Sequence, residues 1–166
     1  MYNILYLSNM NFSYNKDRIE LMEHKSVSKG DFKVIGTSQR ISNDNAQEKI
    51  PEMWKTFIIE NYLEKIPNKK DGRLMAFYTD YEGDHTKPFL YTIGCEVTST
   101  DDCPEGFNTL AIPGNKYALF EVKGNLPNAL IEVWKHIWTS DLKRKFEADF
   151  EIVVGQDEVH VYISVE

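Results

Sequence analysis

Glu151 is the residue whose setting fits its chemistry least. It lies inside the run Phe150-Glu151-Ile152-Val153-Val154, where a carboxylate has apolar neighbours on both sides. Strand alternation leaves two readings open. On an edge strand, Glu151 faces water, opposite in direction to Phe150 and Ile152. At the floor of an aromatic pocket, a partly desolvated carboxylate attracts an organic cation instead. Glu121, between Phe120 and Val122, poses the same question more weakly. Aromatic side chains are available for such a pocket, since the chain holds 3 Trp, 9 Tyr and 9 Phe. Most of them belong in a core, including Trp54, Phe57 and Trp134 on helical stripes. Tyr and Trp also favour half-wet cavities, because their polar tips need partners.

The remaining chemistry is sparse. There is no G-x-S-x-G, no H-E-x-x-H and no glycine-rich phosphate loop. His24, His85, His136 and His160 are scattered without metal-ligand spacing. Cys95 and Cys103 make neither a disulfide framework nor a metal site, and read as free thiols in a reducing cytosol. A pair of carboxylates could hydrolyse a substrate, but nothing places Glu121 beside Glu151. No cofactor and no metal are expected, and the sequence names no reaction.

Charge narrows the partners. The 19 basic and 26 acidic residues leave a net charge of −7, and the basic runs are short: Lys69-Lys70 and Lys143-Arg144-Lys145. Both runs read as solvated loop and helix-end charge, so no direct nucleic-acid contact is expected. An acidic surface favours cationic partners. No apolar run approaches the length of a membrane span, and Met1 to Leu7 lacks the features of a signal peptide. A cytoplasmic protein is expected, of undetermined oligomeric state.

The elements that must position Glu151 follow from periodicity. Phe32–Ile41 is the first secure strand. A helix follows, with Ile50, Trp54, Phe57, Ile58, Tyr62 and Ile66 as its apolar stripe. Pro51 either marks the start of that helix or kinks a turn before it. Residues 73–81 and 89–97 form an antiparallel hairpin. Residues 98–106 (TSTDDCPEG) join the two halves. Residues 107–112 and 117–122 are extended, and Pro127 opens a helix whose face carries Leu130, Val133, Trp134, Ile137 and Trp138. Residues 149–154 and the alternating Val159, Val161, Ile163 and Val165 are the last strands. The pattern E-x-W-K occurs at Glu52–Lys55 and again at Glu132–Lys135, which points to an internal duplication. The expected fold is α+β, with two βαββ units, about 31–99 and 107–166, building one antiparallel sheet against two helices. Residues 1–30 read as an N-terminal extension. It is either loosely held or adds a strand, from Tyr2, Ile4 and Tyr6 or from Ile19–Met22.

One set of residues resembles a known family in order and spacing. It comprises Tyr78, Asp80-Tyr81, Tyr91-x-x-Gly94-x-Glu96-Val97, Ile112-Pro113-Gly114-x-x-Tyr117-Ala118-x-Phe120, Gly124, Trp134, Ile137-Trp138, Asp149-Phe150-Glu151 and Val159-x-Val161-Tyr162-Ile163. Together they are similar to the GyrI-like effector-binding domain of AraC- and MerR-type multidrug regulators, over residues 30 to 166. The resemblance implies a pseudo-twofold pair of βαββ units, a GyrI-like or SOUL-like fold. It also implies a pocket for bulky, often cationic or aromatic molecules, with Glu151 in the D-F-E position as buried counter-charge. The ligand-binding residues expected on this basis are Glu151, Trp134, Trp138, Tyr78, Tyr91 and, more weakly, Tyr162. Some thirty residues ahead of the domain are too few for a helix-turn-helix and a linker. A stand-alone binding module for hydrophobic cations is therefore expected. The alternatives are a hydrolase of reactive natural products in the same pocket, or a protein that inhibits gyrase by contact. Ser164 stands where the family usually has proline.

Overall fold

Eight strands form one antiparallel sheet because the chain repeats short β-branched and aromatic runs separated by turn residues. A computed structural model describes residues 23–166. In chain order they form β1 (Lys25–Lys29), β2 (Phe32–Ile41), α1 (Ala46–Ile59), α2 (Tyr62–Lys65), β3 (Met75–Thr79), β4 (Phe89–Val97), β5 (Asn108–Ile112), β6 (Asn115–Lys123), α3 (Asn128–Thr139), β7 (Ala148–Gly155) and β8 (Glu158–Val165). β1 lies in the segment set aside as an N-terminal extension. The strands considered at Tyr2–Tyr6 and at Ile19–Met22 fall outside the described residues.

The sheet order β1-β6-β8-β7-β3-β4-β2-β5 is palindromic once β1, β2, β3 and β4 are matched with β5, β6, β7 and β8. Its centre is the β3–β7 pair, where Phe77 faces Phe150. An approximate twofold through that pair relates Tyr78 to Glu151 and Ala76 to Asp149. It also relates α1 to α3, with Trp54 and Trp134, 3% and 8% exposed, at matching places. The two halves interlock at their edges. β1 pairs with β6, and β5 pairs with β2, so each half lends its first strand to the other.

Two cores lie on the helix face. One packs Ile50, Trp54, Phe57 and Ile66 against β2 and β4; the other packs Leu130, Val133, Trp134 and Ile137 against β6 and β8. A third core fills the opposite face, around Phe77 and Phe150. The rings of Phe32 on β2 and Phe150 on β7 are 5.5 Å apart, although the strands are three places apart and a flat sheet would separate them by about 14 Å. The sheet is therefore strongly curved. Gly36 and Gly94 face each other on β2 and β4, where a Cβ on either would strike the partner strand's carbonyl. Only glycine permits that approach.

Three local expectations need correction. Pro51 lies inside α1 rather than at its start. Ile58, expected on the apolar stripe, is 46% exposed, because α1 stops at Ile59 and Asn61 turns the chain with φ 51° into the separate α2. Trp138 is 49% exposed, since it leaves the buried stripe on the last turn of α3. Among the described residues, no helix is long and apolar enough to cross a membrane.

Candidate ligand-binding site

β7 carries Glu151 inward. Its side chain shares the helix face with Val161, its register partner on β8, while Phe150 and Tyr162 pair on the other face. On β3 its partner is Ala76, small enough to leave room for a carboxylate. Glu151 is 3% exposed. The Trp134 indole N–H donates to its Oε1 at 2.6 Å, and the Tyr78 hydroxyl donates to the same oxygen at 3.0 Å. Among the described residues, no Lys, Arg or His forms an ion pair with it. Burial pushes its pKa up to about 7, against the opposing pull of the Trp134 and Tyr78 hydrogen bonds. Two neutral donors do not make up for lost water around a full charge.

Aromatic rings surround this carboxylate. Tyr78 lies 4.8 Å from Trp134 and 5.1 Å from Tyr91, centroid to centroid. The Tyr91 hydroxyl accepts the Trp54 indole N–H at 2.8 Å. Burial, and then the Glu151 charge, hold the Tyr91 phenol well above its usual pKa. Trp138 adjoins Trp134 at 6.2 Å and extends the aromatic surface outward, with the His85 ring nearly parallel to it at 6.4 Å. Glu151, Tyr78, Tyr91, Trp134 and Trp138 thus form one contiguous cluster. Tyr162 does not join it. It stacks on Phe150 at 4.6 Å in the third core, because its place on β8 has the opposite parity to Val161. Glu121 shares that far face, pairing with Lys25 at 2.7 Å. Glu121 and Glu151 therefore cannot act as a carboxylate pair across one substrate.

The sequence reading missed a second buried acid. Asp149, fully buried, accepts the Ser164 N–H and hydroxyl at Oδ1, at 2.7 and 2.8 Å. Its Oδ2 accepts from Tyr81 and from Arg144, each at 2.7 Å. The Arg144 side chain is 5% exposed, which corrects the view of Lys143-Arg144-Lys145 as solvated charge. Its Nε and Nη1 have no hydrogen-bond partner. Alternation in Asp149-Phe150-Glu151 was the available signal, since it puts both acids on one face. Ser164 supplies a backbone N–H to Asp149 that a proline in its place would lack.

The comparisons with known proteins agree with this architecture. The model of the Cass2 family, described as integron-associated effector binding protein, matches residues 27–165. The chain belongs to this family. YobU of Bacillus subtilis (strain 168), a candidate transcriptional regulator, is 26% identical over 146 residues, covering 80% of this chain and 91% of the relative. An integron cassette protein from the mobile metagenome of Vibrio cholerae has a solved structure with a TM-score of 0.71 at 27% identity, over 87% of this chain and 96% of that one. SAV2435, solved bound to tetraphenylphosphonium, gives a TM-score of 0.72 at 14% identity, over 87% and 94% of the two chains. The GyrI-like α+β fold and an effector-binding role are thereby established for this chain.

Proposed function

We propose that this effector-binding module takes bulky hydrophobic cations, with Glu151 as counter-charge and Tyr78, Tyr91, Trp134 and Trp138 as the aromatic wall. One observation carries the reading. Of the two buried acids among the described residues, Asp149 is neutralised by Arg144 while Glu151 is held by neutral donors alone. A buried carboxylate without a cation is costly, and a ligand that brings one relieves that cost. The aromatic faces add cation–π attraction of about 0.5–2 kcal/mol. The tetraphenylphosphonium held by SAV2435, a bulky cation on the same fold, supports this ligand class. Because Glu151 is 3% exposed, side chains on the Trp134–Trp138 side must shift to admit a ligand. In the cell such a module would sense or sequester the cation in the cytoplasm.

The test is a titration of a cationic dye and its neutral isostere against the native protein and Glu151→Gln. A charge-assisted contact contributes roughly 1.5–3 kcal/mol. The cation should therefore bind the variant about ten- to a hundredfold more weakly, while the neutral isostere is little changed. Equal losses for both ligands, or none for the cation, would reject the assignment.

A further inference from the structure

Asp149 and Glu151 are both buried, yet their oxygens are unequally satisfied. A carboxylate offers about four acceptor positions, two on each oxygen. Asp149 fills all of them. Ser164 gives two donors to its Oδ1, and Tyr81 and Arg144 give one each to its Oδ2. Glu151 takes only the Trp134 and Tyr78 donors, and both go to Oε1. Its Oε2 accepts no hydrogen bond among the described residues. The strands on either side offer no substitute, since the register partners of Glu151 are Ala76 and Val161, whose side chains are apolar.

Oε2 is not walled off either. Among the described residues, the sealed side-chain nitrogens and oxygens without a partner belong to Thr79, Tyr117 and Arg144. An oxygen that has no partner and is not one of these keeps some accessible surface. Oε2 is therefore the atom of Glu151 that a ligand meets. The donors behind it are held by packing. Trp134 belongs to the core under α3, and the Tyr78 ring has Trp134 and Tyr91 as neighbours at 4.8 and 5.1 Å.

We infer, on the cation reading above, that the ligand of this site is a protonated amine whose N–H donates to Glu151 Oε2. A quaternary ammonium or a phosphonium brings charge and apolar surface but no donor, so Oε2 stays without one. A protonated amine brings charge and donor together. Such a charge-assisted hydrogen bond is about twice as strong as a neutral one, and it completes on Oε2 what Trp134 and Tyr78 do on Oε1. With a pKa of about 7, Glu151 is ionised in mildly alkaline buffer, where alkylamines are still protonated.

Fluorescence titration of the full chain in such a buffer tests this with three ligands of nearly one shape. They are anthracenylmethyl-dimethylammonium, its trimethylammonium analogue and neopentylanthracene, the neutral carbon isostere. The dimethylammonium should bind at least about threefold, and nearer tenfold, more tightly than the trimethylammonium, as one hydrogen bond to a charged group allows. In Glu151→Gln the amide oxygen keeps the Trp134 and Tyr78 donors, which puts the amide nitrogen, itself a donor, in place of Oε2. The two cations should then bind alike. The ratio in the native protein is decisive without any variant. A dimethylammonium advantage below about threefold, or a reversed order, would overturn the inference, as would an advantage that survives in Glu151→Gln. If the two cations bind alike yet well above neopentylanthracene, only the amine assignment falls. If neither exceeds neopentylanthracene, the cation reading falls and takes the amine with it.

Discussion

The two halves use the same tryptophan for different ends. On α1, Trp54 donates its indole N–H to the Tyr91 hydroxyl, a neutral group in a fully buried core. On α3, Trp134 donates to the Glu151 carboxylate. The strands beneath explain the divergence. β3 carries Ala76 and Tyr78 where β7 carries Asp149 and Glu151, so both buried acids sit on one side of the twofold. A duplicated scaffold lets one copy hold the fold with neutral hydrogen bonds while the other takes on charge. Tyr78 joins the two, since it packs against both helix-side cores and donates to its own twofold counterpart, Glu151.

The contrast can be broken most forcefully at Asp149. Asp149→Ala makes β7 resemble β3 at that place and strands Arg144 as an unpaired buried charge. A loss of about 3–5 kcal/mol is expected in urea unfolding. The double variant Asp149→Ala, Arg144→Met should recover much of it, because neither charge is left alone. Failure to recover would mean that Ser164 and Tyr81, not the ion pair, are what Asp149 supports.

Glu151 should give the next largest effect, through pH. Its pKa is about 7 in the fold, against about 4.3 for a free glutamate. The folded state thus prefers the protonated acid. This group's contribution is fully present below the unfolded pKa and is lost as pH rises through about 7, amounting to about 4 kcal/mol. Glu151→Gln should match the native protein in acid and exceed it above neutrality; parallel stability curves would show that Glu151 is not held this way. Cation binding, which needs the carboxylate, should weaken below about pH 7 and strengthen above it.

Trp54→Phe and Trp134→Phe sharpen the comparison. The first removes one of two hydrogen bonds of the buried Tyr91 hydroxyl, the other being with Tyr78, which should cost about 0.5–1.5 kcal/mol at every pH. The second removes a donor to a carboxylate, so its effect should grow with pH as the Glu151 pH midpoint moves up. Identical pH profiles for the two variants would erase the distinction between the halves. Trp138→Ala should matter least to stability, within about 0.5 kcal/mol for a half-exposed side chain. It should still reduce cation affinity by about 0.5–1 kcal/mol, read in the same dye titration; no change would place Trp138 outside the site.

Periodicity and punctuation were enough to locate most elements. The alternation of Val159, Val161, Ile163 and Val165, the E-x-W-K echo and the turns around Gly155 and Pro127 are local signals. Such signals report which residues of one element share a face. The α+β duplication and the oddness of Glu151 were legible for that reason. They do not report which face the rest of the chain will cover. Alternation sets Tyr162 opposite to Val161 and Ile163, and the register of β8 on β7 decides that its face is the one of Phe150 and not of Glu151. Arg144 sits in a basic run that reads as solvated, and only the return of the chain after α3 buries it on Asp149. The exchange of β1 and β5 and the hydrogen bond from Tyr78 to Glu151, 73 residues away, likewise depend on pairing between distant strands. Composition and spacing set what each element can bury, but burial itself is a property of surfaces that meet, and those surfaces meet only in the folded chain.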